Sequence, residues 1–293
     1  MMDWLFFSEI ALAGLGSGAL LALAGVAFVL IYKATKVVNL AIGETLMLGA
    51  YLFFTFSGSM GLPIWMAVVL VLICGGLFGA LVERVVIRPM LGSSALSVFM
   101  VTIGIGSILV GVVELFWGLE PDRLVSFISE KPVFIGEAYV SPKTAVAFVV
   151  AALTIGLLLV VFRYWRGSLG LRATATDPGA AYSCGISVPK VYSFSWILAC
   201  MIAAGSGILV GAIGGISSSM GVFGLTVLCV VIIGGLDSIL GVLLASIIVG
   251  LVESYSIAFL GGEFKQIATF SLMLVVLLVR PHGLLGTAEI DRL

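Results

Sequence analysis

Asn39, Glu44 and Thr45 are the residues whose types and positions could do chemistry, because they fall inside an apolar run, Val38 to Phe56, of a chain in which only 10% of residues are charged. An ionisable group at membrane depth is costly to desolvate, and it is kept where it faces a cavity, a partner or a transported solute. Counted from Val38 as one continuous helix, Glu44 lies about 9 Å in at about 1.5 Å per residue. On a regular helix Asn39 and Glu44 are about 140° apart, so they share a surface only if Gly43 lets the chain deviate. One reading makes Asn39, Gly43, Glu44 and Thr45 a substrate path. The other has Glu44 snorkel to the inner interface or tie two helices together. Glu114 and Glu253 fall toward the outer ends of their runs and read as interfacial.

Enzymatic chemistry has little to stand on. His282 is the only histidine, so neither an HExxH zinc motif nor a histidine-based triad can form, and no GxxxxGK[ST] loop is present to bind ATP. The four cysteines, Cys74, Cys184, Cys200 and Cys229, lack metal-ligand spacing and read as free thiols. The expectation is no catalytic residue, no metal and no cofactor bound by this chain.

The elements that must position Glu44 are membrane helices. Of 293 residues 61% are hydrophobic, and the mean hydropathy is +1.30, far above a soluble domain. Six runs, 10–32, 62–82, 95–117, 144–162, 191–214 and 239–260, reach or approach the roughly 20 residues of a spanning helix. Three more, 38–56, 222–234 and 266–279, are shorter, the last two short enough to be broken or re-entrant. The fold class is therefore all-α and polytopic, a bundle of about 8 to 10 transmembrane helices in a single domain, residues 1–293. With nine crossings and the N-terminus outside, inner loops hold ten Lys and Arg and outer loops four, which favours N-out and C-in. That places 163–190 in a cytoplasmic loop and 118–143 in an extracytoplasmic one. Asp3 and Glu9 precede the first run with no cation, so it reads as a membrane helix and not a cleavable leader.

Glycine occurs 37 times, and the clusters Gly14/Gly16/Gly18, Gly75/Gly76/Gly79 and Gly104/Gly106 read as close helix packing. Gly16-Ser-Gly18-Ala-Leu20 is echoed by Gly205-Ser-Gly207-Ile-Leu209, and Gly79-Ala-Leu-Val-Glu83 by Gly250-Leu-Val-Glu253. The paired copies run in opposite senses, as in an inverted repeat. In Gly234-Gly235-Leu-Asp237-Ser238-Ile-Leu-Gly241, glycine allows a tight turn and Asp237 or Ser238 a cap for the next helix. Ser217 to Ser219 and Met220 fall at an outer end, where hydroxyls line an entrance or face solvent.

Over nearly its whole length the chain resembles the permeases of ABC importers of the branched-chain amino acid type, specifically the LivH-like subunit. The resemblance is carried by Val38-Asn39-Leu-Ala-Ile-Gly43-Glu44, by Glu83-Arg84-Val-Val-Ile-Arg88-Pro89, by Gly170-Leu-Arg172-Ala173 with Asp177 and Gly185-Ile186, by the 234–241 stretch and by Pro281-His-Gly283-Leu-Leu-Gly286. It implies a multi-pass protein of a bacterial-type inner membrane that works with a second related permease, two cytoplasmic ATP-binding subunits carrying ATP and Mg, and an extracytoplasmic solute-binding protein. Gly179-Ala180-Ala181-Tyr-Ser-Cys-Gly185 is similar to the family's E-A-A-x-x-x-G docking helix, with Gly for Glu, and implies Arg172, Asp177, Ala180, Ala181 and Gly185 as ATPase-docking residues. Asp177-Pro178 supplies its N-cap and first-turn proline. Arg163, Arg166 and Arg172 read equally as anchors to anionic headgroups. Ile42 replaces a family His or Gln and Asp237 a common Gly, which leaves the solute open between branched-chain amino acids and other small polar organic molecules such as amides or urea. The rival reading is an autonomous channel or ion-coupled secondary transporter with Glu44 as its proton or ion site.

Overall fold

The computed structural model describes residues 2–90, 92–124, 128, 133–135, 137–164 and 167–286. Lys131, Arg166 and Arg292, counted above among the loop cations, lie outside them. Six of its helices are long and apolar enough to span a membrane: α1 (Met2–Thr35), α3 (Ile64–Val82, continued by irregular turns to Met90), α4 (Ala95–Trp117), α5 (Pro142–Tyr164), α8 (Val188–Gly214) and α10 (Ile239–Leu260). Three shorter apolar helices, α2 (Ile42–Phe53), α9 (Phe223–Gly234) and α11 (Phe264–Val279), complete the bundle. Two small helices, α6 (Gly167–Thr176) and α7 (Pro178–Ser183), lie in the loop after α5, and a hairpin, β1 (Val133–Ile135) with β2 (Ala138–Val140), lies in the loop after α4. Each of the nine apolar segments expected from the sequence contains a helix.

α1 is apolar all round, and such a helix is stable only inside a bundle. It forms the central post, with Leu21, Val26, Ala27, Val29 and Ile31 fully buried. α5 turns Leu153, Leu157 and Val160 outward, as a lipid-facing helix does. The small-residue clusters set the closest approaches. Gly14 meets the backbone of Gly250 and Leu251, and Gly18 meets that of Ser246, so α1 and α10 pack antiparallel. Gly75 meets Cys200 and Ala204 while Gly79 meets Trp196, so α3 and α8 do the same. Gly106 packs on the Glu44 carboxylate and Gly104 on nothing within 4 Å.

These two pairs have the pattern an inverted repeat requires. The sequence echoes equate α1 with α8 and α3 with α10, and exchanging them turns the α1–α10 pair into the α8–α3 pair. The echoed glutamates agree. Glu83, 1% exposed at the inner end of α3, takes a bidentate pair of hydrogen bonds from Arg88, at 3.0 and 2.9 Å. A π turn over Glu83–Ile87 allows this, since it brings residues five apart into register. Ser193 of α8 closes the group, donating to Glu83 at 2.8 Å and accepting from Arg88 at 2.7 Å. At the opposite end Glu253 of α10 pairs with Lys265 at 3.2 Å and accepts from Thr269 of α11 at 2.8 Å. It is 2% exposed, so the interfacial reading of Glu253 is corrected: its charge is neutralised inside the bundle. Glu114 is half-buried near the end of α4.

The turn after α9 follows its sequence. Gly235 adopts φ +107, Gly234 and Gly241 touch through their backbones, and Ser238 caps α10 by accepting from the Gly241 N–H at 3.0 Å. Ser238, not Asp237, is therefore the cap. α2 and α8 are as tightly apposed. A methyl on Gly207 would overlap the Leu46 carbonyl, and one on Gly49 the Ala204 backbone. Gly207→Ala is expected to destabilise the protein by about 1–3 kcal/mol through overpacking. Thermal unfolding in mild detergent checks this, with Gly104→Ala unchanged or slightly stabilised.

Candidate functional site

The residues singled out by sequence converge on a break in the second segment. α1 ends where Lys36 takes φ +55, its N–H bonding the Tyr32 carbonyl at 2.8 Å, and residues 36–41 are not helical before α2 begins at Ile42. The continuous helix from Val38 is thus replaced by a non-helical segment and a half-helix. Asn39, 3% exposed, organises the break, its Oδ1 accepting from the Ala41 N–H at 3.1 Å in an Asx turn. Thr102 of α4 supports it, accepting from the Leu40 N–H at 3.3 Å and donating to Phe99 in its own helix at 2.8 Å. Thr45 is buried and bonds back to the Ala41 carbonyl at 2.7 Å. Asn39 and Thr45 are both buried and shape the turn that positions Glu44.

Glu44 stands in the first turn of α2. Its carboxylate packs on Gly106, the central residue of α4, and so near the mid-plane of a spanning helix. On its other side stands Gly221, in the 3₁₀ turn Ser218–Val222 that leads into α9. Gly43 meets Gly224 backbone to backbone. Two interrupted segments, 36–41 into α2 and 218–222 into α9, thus meet at mid-membrane around one carboxylate; a methyl at 43 or 224 would overlap the facing backbone, and one at 106 or 221 would press on the carboxylate. Glu44 Oε2 is buried and has no hydrogen-bond partner among the described residues.

Sequence reasoning missed the rest of the line. Tyr51 lies two helical turns beyond Glu44 on the same face, and its buried hydroxyl has no hydrogen-bond partner among the described residues. Its ring packs on Trp117 of α4, centroids 5.5 Å apart, while the Trp117 indole donates to Thr55 at 2.7 Å. The i, i+7, i+11 spacing of Glu44, Tyr51 and Thr55 could have revealed the line. At its inner end a cavity of about 540 Å³ opens between the 35–38 segment and the first turn of α4, bordered by Met90, Ser93 and Phe99. At the outer end of α8 a polar cavity of about 920 Å³ is lined by Asp122, Arg123, Lys143, Ser217 and Ser219, which makes the serine run a cavity wall.

The loop after α5 holds the other set. Asp177 caps α7, its Oδ1 accepting from the N–H groups of Gly179 and Ala180 at 2.8 and 3.0 Å, with Pro178 in the first turn. Gly185, at φ +83, closes it: Gly185 N–H bonds Tyr182 O at 2.9 Å and Ile186 N–H bonds Ala181 O at 3.0 Å, a Schellman end. Ala181 is 3% exposed, packed inside this chain, so of the two alanines only Ala180 lies on the surface. The other residues of α7, Pro178, Gly179, Ala180, Tyr182 and Ser183, are exposed. Arg172 lies elsewhere, beside Lys33 and Arg163 in a separate cleft.

The family model described as branched-chain amino acid transport system / permease component matches residues 10–279. The chain belongs to this family. It is similar along its length to the high-affinity branched-chain amino acid transport system permease protein LivH of Escherichia coli K12, 28% identical with 99% of both chains covered. To the permease protein BraD of Pseudomonas aeruginosa, described by the same transport activity, it is 29% identical with 95% of both covered. The fructose import permease protein FrcC of Rhizobium meliloti is 26% identical over 74% of this chain and 62% of its own length. No solved structure matches this chain. It is thus a multi-pass membrane permease, a component of a larger transport system.

Proposed function

We propose that the chain forms half of the translocation path of an ATP-driven importer for branched-chain amino acids, in a bacterial-type inner membrane. Its other components in this reading are a second related permease, two cytoplasmic ATP-binding subunits that carry ATP and Mg, and an extracytoplasmic solute-binding protein. The observation that carries the reading is the mid-membrane carboxylate of Glu44, set where two interrupted helices meet, its buried Oε2 without a hydrogen-bond partner among the described residues. Interrupted helices at the mid-plane are a common way for transporters to build a solute site. An amino acid brings an ammonium group, the natural partner for such a carboxylate. The line from Tyr51 and Thr55 through Glu44 to the inner cavity is this chain's wall of the path, and the exposed α7 face is where the ATP-binding subunits push.

Ala180→Arg tests the assembly. It places a large cation on the exposed docking face without disturbing Ala181. Affinity purification from mild detergent is expected to recover ATP-binding subunits and a second permease with the native chain, and to lose the ATP-binding subunits alone from the variant. The buried Glu44 Oε2 without a hydrogen-bond partner among the described residues also favours a secondary transporter. That reading replaces this one if the chain purifies alone and moves solute in vesicles with an ion gradient and no ATP.

A further inference from the structure

At the inner end of the bundle, away from the α2–α4 line, a cleft of about 540 Å³ opens between α1, α5, α6 and α10. Three cations from three helices line it: Lys33 in the last turn of α1, Arg163 in the last turn of α5 and Arg172 of α6. One carboxylate, Asp237, accompanies them, so three positive charges less one negative leave a net charge of two. Apart from Ser238 the remaining wall is apolar, with Leu159 and Phe162 on α5 and Leu240 on α10. Leu240 is 61% exposed, and so is the outer face of α5 beside it at Leu157, 64%, and Val160, 54%. The cleft therefore has a charged floor at the membrane surface and an apolar side continuous with the lipid-facing surface of the bundle.

We propose that this cleft binds an anionic phospholipid of the cytoplasmic leaflet, its phosphodiester among Lys33, Arg163 and Arg172 and an acyl chain along Leu159 and Leu240. A diester phosphate needs charge-assisted donors that a zwitterionic headgroup, carrying its own ammonium, would partly repel. An acidic protein surface would meet the cations equally well, but it has no use for an apolar wall that runs on into the bilayer. The site is independent of which solute the permease carries.

The test is native mass spectrometry of the full chain, with whatever subunits accompany it, in detergent doped with phosphatidylglycerol or phosphatidylcholine. The native chain is expected to retain phosphatidylglycerol in preference. With each cation near an anionic headgroup worth about fivefold in affinity, Arg163→Gln and Arg172→Gln should each weaken retention by about that factor, and the triple variant with Lys33→Gln on the order of a hundredfold. Arg163 and Arg172 are both exposed, so the single variants keep the test alive if the triple fails to fold. Lys190→Gln, an exposed cation of the same loop outside the cleft, should change nothing. Equal retention by native and single-variant chains overturns the proposal. So does displacement of the lipid by millimolar inorganic phosphate, which would assign the cations to a free anion. Loss of the ATP-binding subunits from the Arg163 and Arg172 variants with lipid retention unchanged would assign the cleft to a protein contact.

Discussion

Arg88→Ala is expected to destabilise the protein by about 3 kcal/mol, because it strands a buried carboxylate. Glu83 is 1% exposed, and its two oxygens are held by Arg88 and Ser193. Removing the guanidinium leaves one hydroxyl to solvate a full charge. The value sits at the low end for breaking a buried pair because the Arg88 side chain is 37% exposed, so water and salt already screen part of the attraction. The double replacement Glu83→Gln with Arg88→Met should cost much less, since no charge is stranded. Thermal unfolding in detergent, run as a double-mutant cycle, separates the two. A loss as large in the double variant as in Arg88→Ala would show that the group contributes packing and not charge compensation. The Lys265→Ala cycle with Glu253 should repeat the pattern at the outer end.

That symmetry was partly legible in the sequence. The echo of Glu83 by Glu253 is visible as two short matching strings, and the oppositely directed packing of α1 on α10 and α3 on α8 matches it. Helix positions were legible because an apolar run of about 20 residues permits few structures in a bilayer; α4 and α10 occupy the expected residues throughout. The short helix α7 was legible too, since Asp-Pro at one end and Gly185 at the other are local signals that work through backbone geometry.

What the sequence hid was tertiary. The break at 36–41 is unmarked by proline or glycine: Lys36 takes a left-handed conformation without being glycine, and Asn39 reads as a polar group in a helix until its bond to Ala41 is seen. Ala180 and Ala181 are the same residue type in adjacent positions, and only the packing of α7 on this chain decides which faces out. Glu253 looked interfacial because its partners, Lys265 and Thr269, come from the next helix.

The reading of Glu44 predicts the largest functional effect. Glu44→Gln keeps the shape of the side chain, so the glycine walls at 106 and 221 still fit it and the fold should be unaffected. What is lost is the negative charge. If Glu44 holds the ammonium of an amino acid during passage, the variant gives up a charge-assisted hydrogen bond worth about 1.5–3 kcal/mol, and uptake should fall on the order of tenfold to a hundredfold. Glu44→Asp, which keeps the charge on a shorter arm, should recover part of it. Co-purification of the ATP-binding subunits should match the native chain in both, because α7 lies at the inner end, far from the mid-plane. Uptake of radiolabelled leucine into vesicles with ATP, beside a neutral solute lacking an ammonium group, distinguishes recognition from structure. A loss confined to the ammonium-bearing solute fits the carboxylate as its partner. Unchanged leucine uptake by Glu44→Gln would leave the carboxylate as a packing element between α2, α4 and α9, and would move the search for the solute contact to Tyr51 and Thr55.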